Sequence, residues 1–344
     1  MVATRAIINH ADYAVVFNDP TARAALRARL SAHEPSAQGA AAIPAPGKES
    51  PPPHALGPPG SKAQAEQQEH DRYFEVARSV GDAADRFMAG LLLAHLAAYE
   101  NCLDMGVTLL AAEEWDLLFG GLRALVHLPG HLAGGGEHAG ATECAPVLPS
   151  SAGWRAGYDP GRRWRIGHQL FFSLIQGAIV GLNCFAAAAA NGHLAEAEEG
   201  LCLASAFMRS SAAAMKFASD FEPADYERTV RPAMGPPRVR EGFSGLQTRD
   251  HAYLVRLLGA LKPVFFGLGQ KLQAHREFTE SVISAYAAHE FICERFRGDV
   301  LPSLRMAAAS RGTTQRPGIA VIRELMRARL ALVDPAVPGH GRQP

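Results

Sequence analysis

Neither sign of charge is in excess. Thirty-four Lys and Arg balance 34 Asp and Glu in 344 residues, which removes the attraction that would draw the chain to nucleic acid or to an anionic membrane surface. Cysteine is sparse: Cys102, Cys144, Cys184, Cys202 and Cys293 are odd in number and scattered, so a reducing compartment suits them better than a disulfide framework. Short β-branched runs at period two are missing, as are internal repeats. The start lacks the basic segment, apolar run and small-residue site of a secretory signal, so a cytoplasmic protein is expected. A single long apolar run exists, LFFSLIQGAIVGLNCFAAAAA at 170–190. It is long enough to cross a membrane, but Ser173, Gln176 and Asn183 interrupt it, and eight of its 21 residues are Ala or Gly. It reads as a core helix, apolar all round because it is buried all round.

What the sequence does have is helical period. Residues 35–60 hold eight prolines and four glycines, too little apolar area to offset the entropy of ordering. The expected organisation is therefore an N-terminal arm at 1–34, a Pro/Gly/Ala-rich disordered linker at 35–66, a helical domain at 67–333 and a disordered tail at 334–344. The arm carries an apolar patch at 13–17 and a small helix at 22–30. Helices are expected at 69–108 (broken once), 112–126, 165–190, 193–218, 245–270, 276–295, 301–309 and 319–332. The fold class is all-α, a helical bundle. Two long loops, 127–164 and 222–243, interrupt it; such loops are usually functional or disordered.

Chemistry concentrates on the helix SVISAYAAHEFICERF at 281–296. His289 and Cys293 stand four apart, which puts imidazole and thiol on one face. Three readings are open: a core histidine beside an inert thiol, a transition-metal site, or an axial heme ligand with the thiol one turn along the macrocycle. His251 lies 38 positions before His289, with a turn between their two helices, so the two can face one another across a slot. Ser244 and Gln247 form a capping box where the His251 helix begins, and Gln247, four before His251, can orient the imidazole. The cluster His127, His131, Glu137, His138 and Cys144 fits no closed zinc pattern and reads as a flexible loop.

The H-x(37)-H-x-x-x-C arrangement resembles the heme-dependent 3-methyl-L-tyrosine hydroxylases of saframycin-type antibiotic biosynthesis. GFSGLQTRD at 242–250 is similar to the Ser-Gly-Phe-Gln-Ser stretch of tryptophan 2,3-dioxygenases, and LLLAHLAAYE at 91–100 looks like their distal-histidine helix. The resemblance implies a tryptophan 2,3-dioxygenase-like bundle around one heme. Its iron would be held by His289 (proximal) and His251 (distal), its edge by a single thioether to Cys293. His251 and His95 would be catalytic, Gln247 and Tyr286 would border the cofactor, and Arg231, Arg249 and Ser244 would meet the substrate. The implied reaction is oxygen insertion ortho to the phenol of 3-methyl-L-tyrosine or a close analogue, driven by peroxide or by dioxygen with a reductant. The partners implied are a small amino acid and the oxidant, with no nucleic acid and no membrane; a homo-oligomer is left open. An indole-opening heme dioxygenase and a bis-histidine heme sensor or electron carrier are the alternatives.

Overall fold

The computed structural model describes residues 20–31, 61–76, 78, 84–132, 153–245, 247–268, 272–296 and 316–337. Among them no strand occurs. The helices are α1 (Pro20–Ser31), α2 (Lys62–Tyr73), α3 (Ala84–Met105), α4 (Ala112–Leu132), α5 (Pro160–Ala190), α6 (Leu194–Ala218), α7 (Arg249–Leu268), α8 (Gln273–Arg295) and α9 (Gly318–Val333). Between α6 and α7 run two single turns of α-helix around one π-turn, Tyr226–Val230.

The α5–α6 hairpin is the axis of the molecule. Asp159 caps α5 by accepting the Arg162 N–H at 3.0 Å, and Pro160 follows at the first helical position, where its missing N–H costs nothing. This cap starts α5 five residues before the expected position 165. The helix ends at Asn191, and Gly192 takes φ +75° to turn the chain into α6. Glycine lets the two helices lie close: a Cβ on Gly167 would fall 2.4 Å from Ala218 Cα, and one on Gly181 would fall 2.7 Å from Ala204 N. Among the described residues α5 is the one helix long and apolar enough to cross a membrane. Helices α3, α4, α6 and α7 pack around it, and its interior residues, Leu170, Leu174 and Leu182 among them, are buried.

Two further contacts fix the frame. At one end Phe265 of α7 stacks with Phe185 of α5 at 5.3 Å and with Phe278 of α8 at 5.7 Å, and His275 Nε2 lies 2.6 Å from the Val333 carbonyl, tying α8 to α9. At the other, the fully buried Arg163 pairs with Asp220 at 2.6 Å and bonds Asn101 of α3. Asp220 also accepts Thr108 Oγ1 at 2.6 Å and the Leu109 N–H at 2.9 Å. Arg295, at the end of α8, donates to the Phe221 carbonyl at 2.6 Å. The last turn of α8 is thereby anchored beside this network.

Several expected boundaries move. The break in 69–108 is present, but α2 begins at Lys62, inside the stretch expected as linker, because Ser61 caps it by accepting the Gln64 N–H. The patch at 13–17, the helix at 301–309 and most of the loop at 127–164, with Glu137, His138 and Cys144, lie outside the described residues.

Candidate heme-binding site

His289 sits deep in the 23-residue α8, one turn before Cys293. On the same helix the inward positions Ser281, Ala285 and Ala288 are small. His251 lies in the first turn of α7. The two rings are near enough for their charges to interact: burial, and then His251, pull the His289 imidazolium down to about 4. His289 is therefore neutral at physiological pH, the form that ligates iron. Burial first, then Glu290 and Glu294, push the Cys293 thiol up to about 11, so it is protonated and inert as a free nucleophile. The Tyr226 hydroxyl, raised to about 12 chiefly by burial, counts Cys293 among its neighbours. Its ring stacks on Phe296 at 4.1 Å. Irregular π-turns of this kind are frequent at functional sites.

Two histidines join this pair that the sequence did not single out. His168 of α5 is held by the Trp164 carbonyl at 2.7 Å and stacks on Phe74 at 4.5 Å. Burial draws it down to about 3, with His70 and His289 pressing the same way. His70 of α2 packs among Phe74, Phe172 and Phe243 with centroids 4.8–5.6 Å away, and burial lowers it to about 4. Its Nε2 is 3.4 Å from the Gly245 carbonyl; a carbonyl only accepts, so the proton is on Nε2 and Nδ1 is an acceptor. Gly245 is squeezed between the two rings. A Cβ there would lie 2.3 Å from His168 Nε2, so only glycine fits. The spacings His70–Phe74 and Trp164–His168–Phe172 repeat every four residues, a helical aromatic stripe that a search confined to His and Cys overlooks.

Ser244 donates its N–H to Gln247 Oε1 at 3.0 Å, one half of the expected capping box, though α7 itself starts two residues later, at Arg249. Tyr286 is bound to Arg329 of α9. His95 is buried between α3 and α4, 6.4 Å from the Phe119 ring, and burial alone lowers it to about 3. Arg231 is engaged with Tyr226 and lies 3.9 Å from Glu227, and Arg240 with Glu66 at 2.9 Å and Glu69 at 3.6 Å. Arg238 is exposed.

Among the buried polar atoms with no hydrogen-bond partner among the described residues are His70 Nδ1, Trp164 Nε1 and Arg249 Nε. An orphaned buried group costs about 1–3 kcal/mol, and three on elements around one site mark room for a ligand with polar groups. Among the described residues no three His, Cys, Asp or Glu converge as a metal cage. The donors on offer are a neighbouring imidazole pair from two helices, aromatic walls and a thiol. That set suits an iron whose other ligands come with its own macrocycle.

The model of the SfmD 3-methyl-L-tyrosine peroxygenase family matches residues 9–279, a stretch that holds His70, His168 and His251 and ends ahead of His289 and Cys293. The chain is 30% identical over 318 residues to a 3-methyl-L-tyrosine peroxygenase of Streptomyces lavendulae, covering 91% of this chain and 81% of that protein. A crystal structure of reduced SfmD, obtained by soaking with sodium hydrosulfite, superposes with a TM-score of 0.56 at 28% identity, covering 81% of this chain and 88% of that one.

Proposed function

Because the chain belongs to the SfmD 3-methyl-L-tyrosine peroxygenase family, we propose that it is a heme-dependent hydroxylase. It inserts one oxygen atom ortho to the phenol of 3-methyl-L-tyrosine or a close tyrosine analogue, with peroxide, or dioxygen plus a reductant, as oxidant. The observation that carries the reading is the pairing of His251 on α7 with His289 on α8, close enough that one ring's charge depresses the other's protonation, with Cys293 one turn further on. Heme, when bound, supplies the oxidising chemistry that the protein's own side chains lack.

The residues divide the remaining work. His289, held neutral by burial, and His251 would hold the iron. Cys293, kept in the thiol form by burial and the neighbouring carboxylates, would hold the macrocycle edge through a single thioether. Phe74, Phe172 and Phe243 wall off water on the His70 side. Gln247 and Ser244 frame the entry to α7. Of the arginines expected to meet the substrate, Arg231 is already engaged. Arg249 retains a buried, unpartnered Nε and takes the amino acid carboxylate, since a guanidinium binds that group through two parallel hydrogen bonds.

Purified protein tests the reading directly. The expected result is a coloured protein whose heme survives acid-organic extraction, and a Cys293→Ser variant that releases it. Supplied with 3-methyl-L-tyrosine and peroxide, the wild type yields the catechol product by mass spectrometry. Colourless protein, or heme that extracts freely from the wild type, refutes the heme assignment or the thioether respectively.

A further inference from the structure

His251 occupies the weakest kind of place on a helix. The first four N–H groups of α7 have no acceptor within the helix, and terminal turns open at low cost. Yet this turn must present an imidazole in a fixed position. What secures it comes from elsewhere in the chain. Arg78, beyond the end of α2, bonds Asp71 through Nε at 2.7 Å and Nη2 at 3.0 Å, and both oxygens of Asp250 through Nη1 at 3.0 and 3.3 Å. Asp71 neighbours His70 and Asp250 neighbours His251. Each carboxylate has one further donor: Gln67 Nε2 reaches Asp71 at 2.8 Å and Thr248 Oγ1 reaches Asp250 at 3.2 Å. The side chains are 14–21% exposed, so solvent screens the clamp less than a surface pair.

One planar guanidinium thus bridges two carboxylates on two elements. Its removal does more than loosen the contact, because Asp71 and Asp250 would then face each other with no cation between them, and like charges push α2 and the start of α7 apart. The Gly245 carbonyl near His70 Nε2 is a second tie between the same elements, but a neutral one at 3.4 Å. The Arg78 bridge is the stronger.

We propose that Arg78 is a positioning residue for iron ligation: by clamping Asp71 to Asp250 it fixes the first turn of α7 and holds the His251 imidazole towards His289. This rests on the heme reading above. The test uses holoprotein of the wild type, Arg78→Met, Arg78→Lys, Asp250→Asn and Asp71→Asn, read by heme content per chain and by the ferric absorption and electron paramagnetic resonance spectra, before and after added imidazole. In the wild type both axial donors give low-spin iron. Arg78→Met and Asp250→Asn keep their heme and raise the ratio of high-spin to low-spin iron roughly tenfold, as expected when a charge-assisted contact to the ligand-bearing turn is lost. Added imidazole restores the low-spin form, which shows that the missing ligand is an imidazole and not the heme itself. Arg78→Lys is intermediate, since an ammonium cannot span both carboxylates in the same way, and combining Arg78→Met with Asp250→Asn adds little to either alone. If Arg78→Met fails to fold, Asp250→Asn, which removes only a charge, decides the matter. Full heme with a wild-type spin state in both variants overturns the proposal, as does loss of heme with the remainder still low-spin, which would make Arg78 a support of the fold alone. A colourless wild type sinks the heme reading and the clamp with it; a low-spin wild type with unshifted variants sinks the clamp only.

Discussion

Gly245→Ala tests whether the site is as tightly packed as its geometry implies. The added methyl would sit 2.3 Å from His168 Nε2 and 2.7 Å from its Cδ2, whereas ordinary contact begins near 3.4 Å. The imidazole must therefore retreat by about 1 Å. It has little freedom to do so, because its Nδ1 is 2.7 Å from the Trp164 carbonyl and its face rests on Phe74 at 4.5 Å and Trp164 at 4.3 Å. Overpacking of this sort costs about 1–3 kcal/mol, and a lost hydrogen bond about 1 more. For a chain of this length the melting temperature should fall by roughly 3–6 °C. Gly167→Ala is the control: its methyl would meet the Ala218 backbone at 2.4 Å, on the α5–α6 contact. Both variants should melt earlier by differential scanning fluorimetry, but only Gly245→Ala should change the visible spectrum of the heme-loaded protein. A Gly245→Ala protein with wild-type melting and an unaltered spectrum would refute the packing argument.

Acid should weaken the heme-free protein through its buried histidines. His70 and His95 titrate near 4 and 3 when folded and near 6.5 when unfolded. Their contribution is thus full above pH 6.5 and is lost as the pH falls towards those lowered values, because the unfolded chain takes up protons the folded one refuses, roughly 3 kcal/mol for His70. Urea midpoints between pH 4 and 7 should show this slope, and His95→Gln should flatten it; parallel curves would contradict the burial argument. Arg163→Met should destabilise by about 3–5 kcal/mol by leaving the 2%-exposed Asp220 without its cation, and Arg163→Met with Asp220→Leu should recover most of that in denaturant unfolding. Arg249→Leu should raise KM for 3-methyl-L-tyrosine by about 10- to 100-fold, the worth of a charge-assisted carboxylate contact, with a smaller effect on kcat. The decarboxylated amine, which lacks the group to be held, should lose nothing, and an equal loss on both substrates would place the carboxylate elsewhere.

The long-range frame was legible because it rests on periodicity. The apolar stripes of α5, α6 and α8 repeat at helical spacing, and the all-α class follows from them. Boundaries shifted wherever a cap decided them: Asp159 and Ser61 open α5 and α2 earlier than the apolar pattern does, because a side-chain oxygen accepting an orphan N–H carries no hydropathy signal. His289 and Cys293 could be put on one helical face from their i,i+4 spacing, and His251 on the helix before them from its separation in sequence. His70 and His168 were not. Each meets the pair only through tertiary packing across α2, α5 and the Ser244–Gly245 turn. In sequence each stands among aromatic and charged residues like any core histidine. His95 lies in an apolar helix, and that context buries it against Phe119. Local apolarity reports burial and says nothing of which neighbours share it.

The two imidazoles are supported unequally. His289 lies well inside α8, which is packed on α6 and α9 and pinned at its two ends by His275 and Arg295. Its position is settled by the same contacts that settle the fold, so it cannot shift without disturbing the core. His251 lies in a first turn whose placement depends on side-chain bonds to α2 and to Arg78, contacts that can open while the Phe185–Phe265–Phe278 stack keeps the far end of α7 in place. A hydroxylase needs one face of its cofactor fixed and the other open to a substrate and an oxidant. With His289 in a packed helix interior and His251 at a clamped helix start, the proposed pair of donors would meet both needs within one fold, since the energy that holds His251 is separable from the energy that holds the protein together.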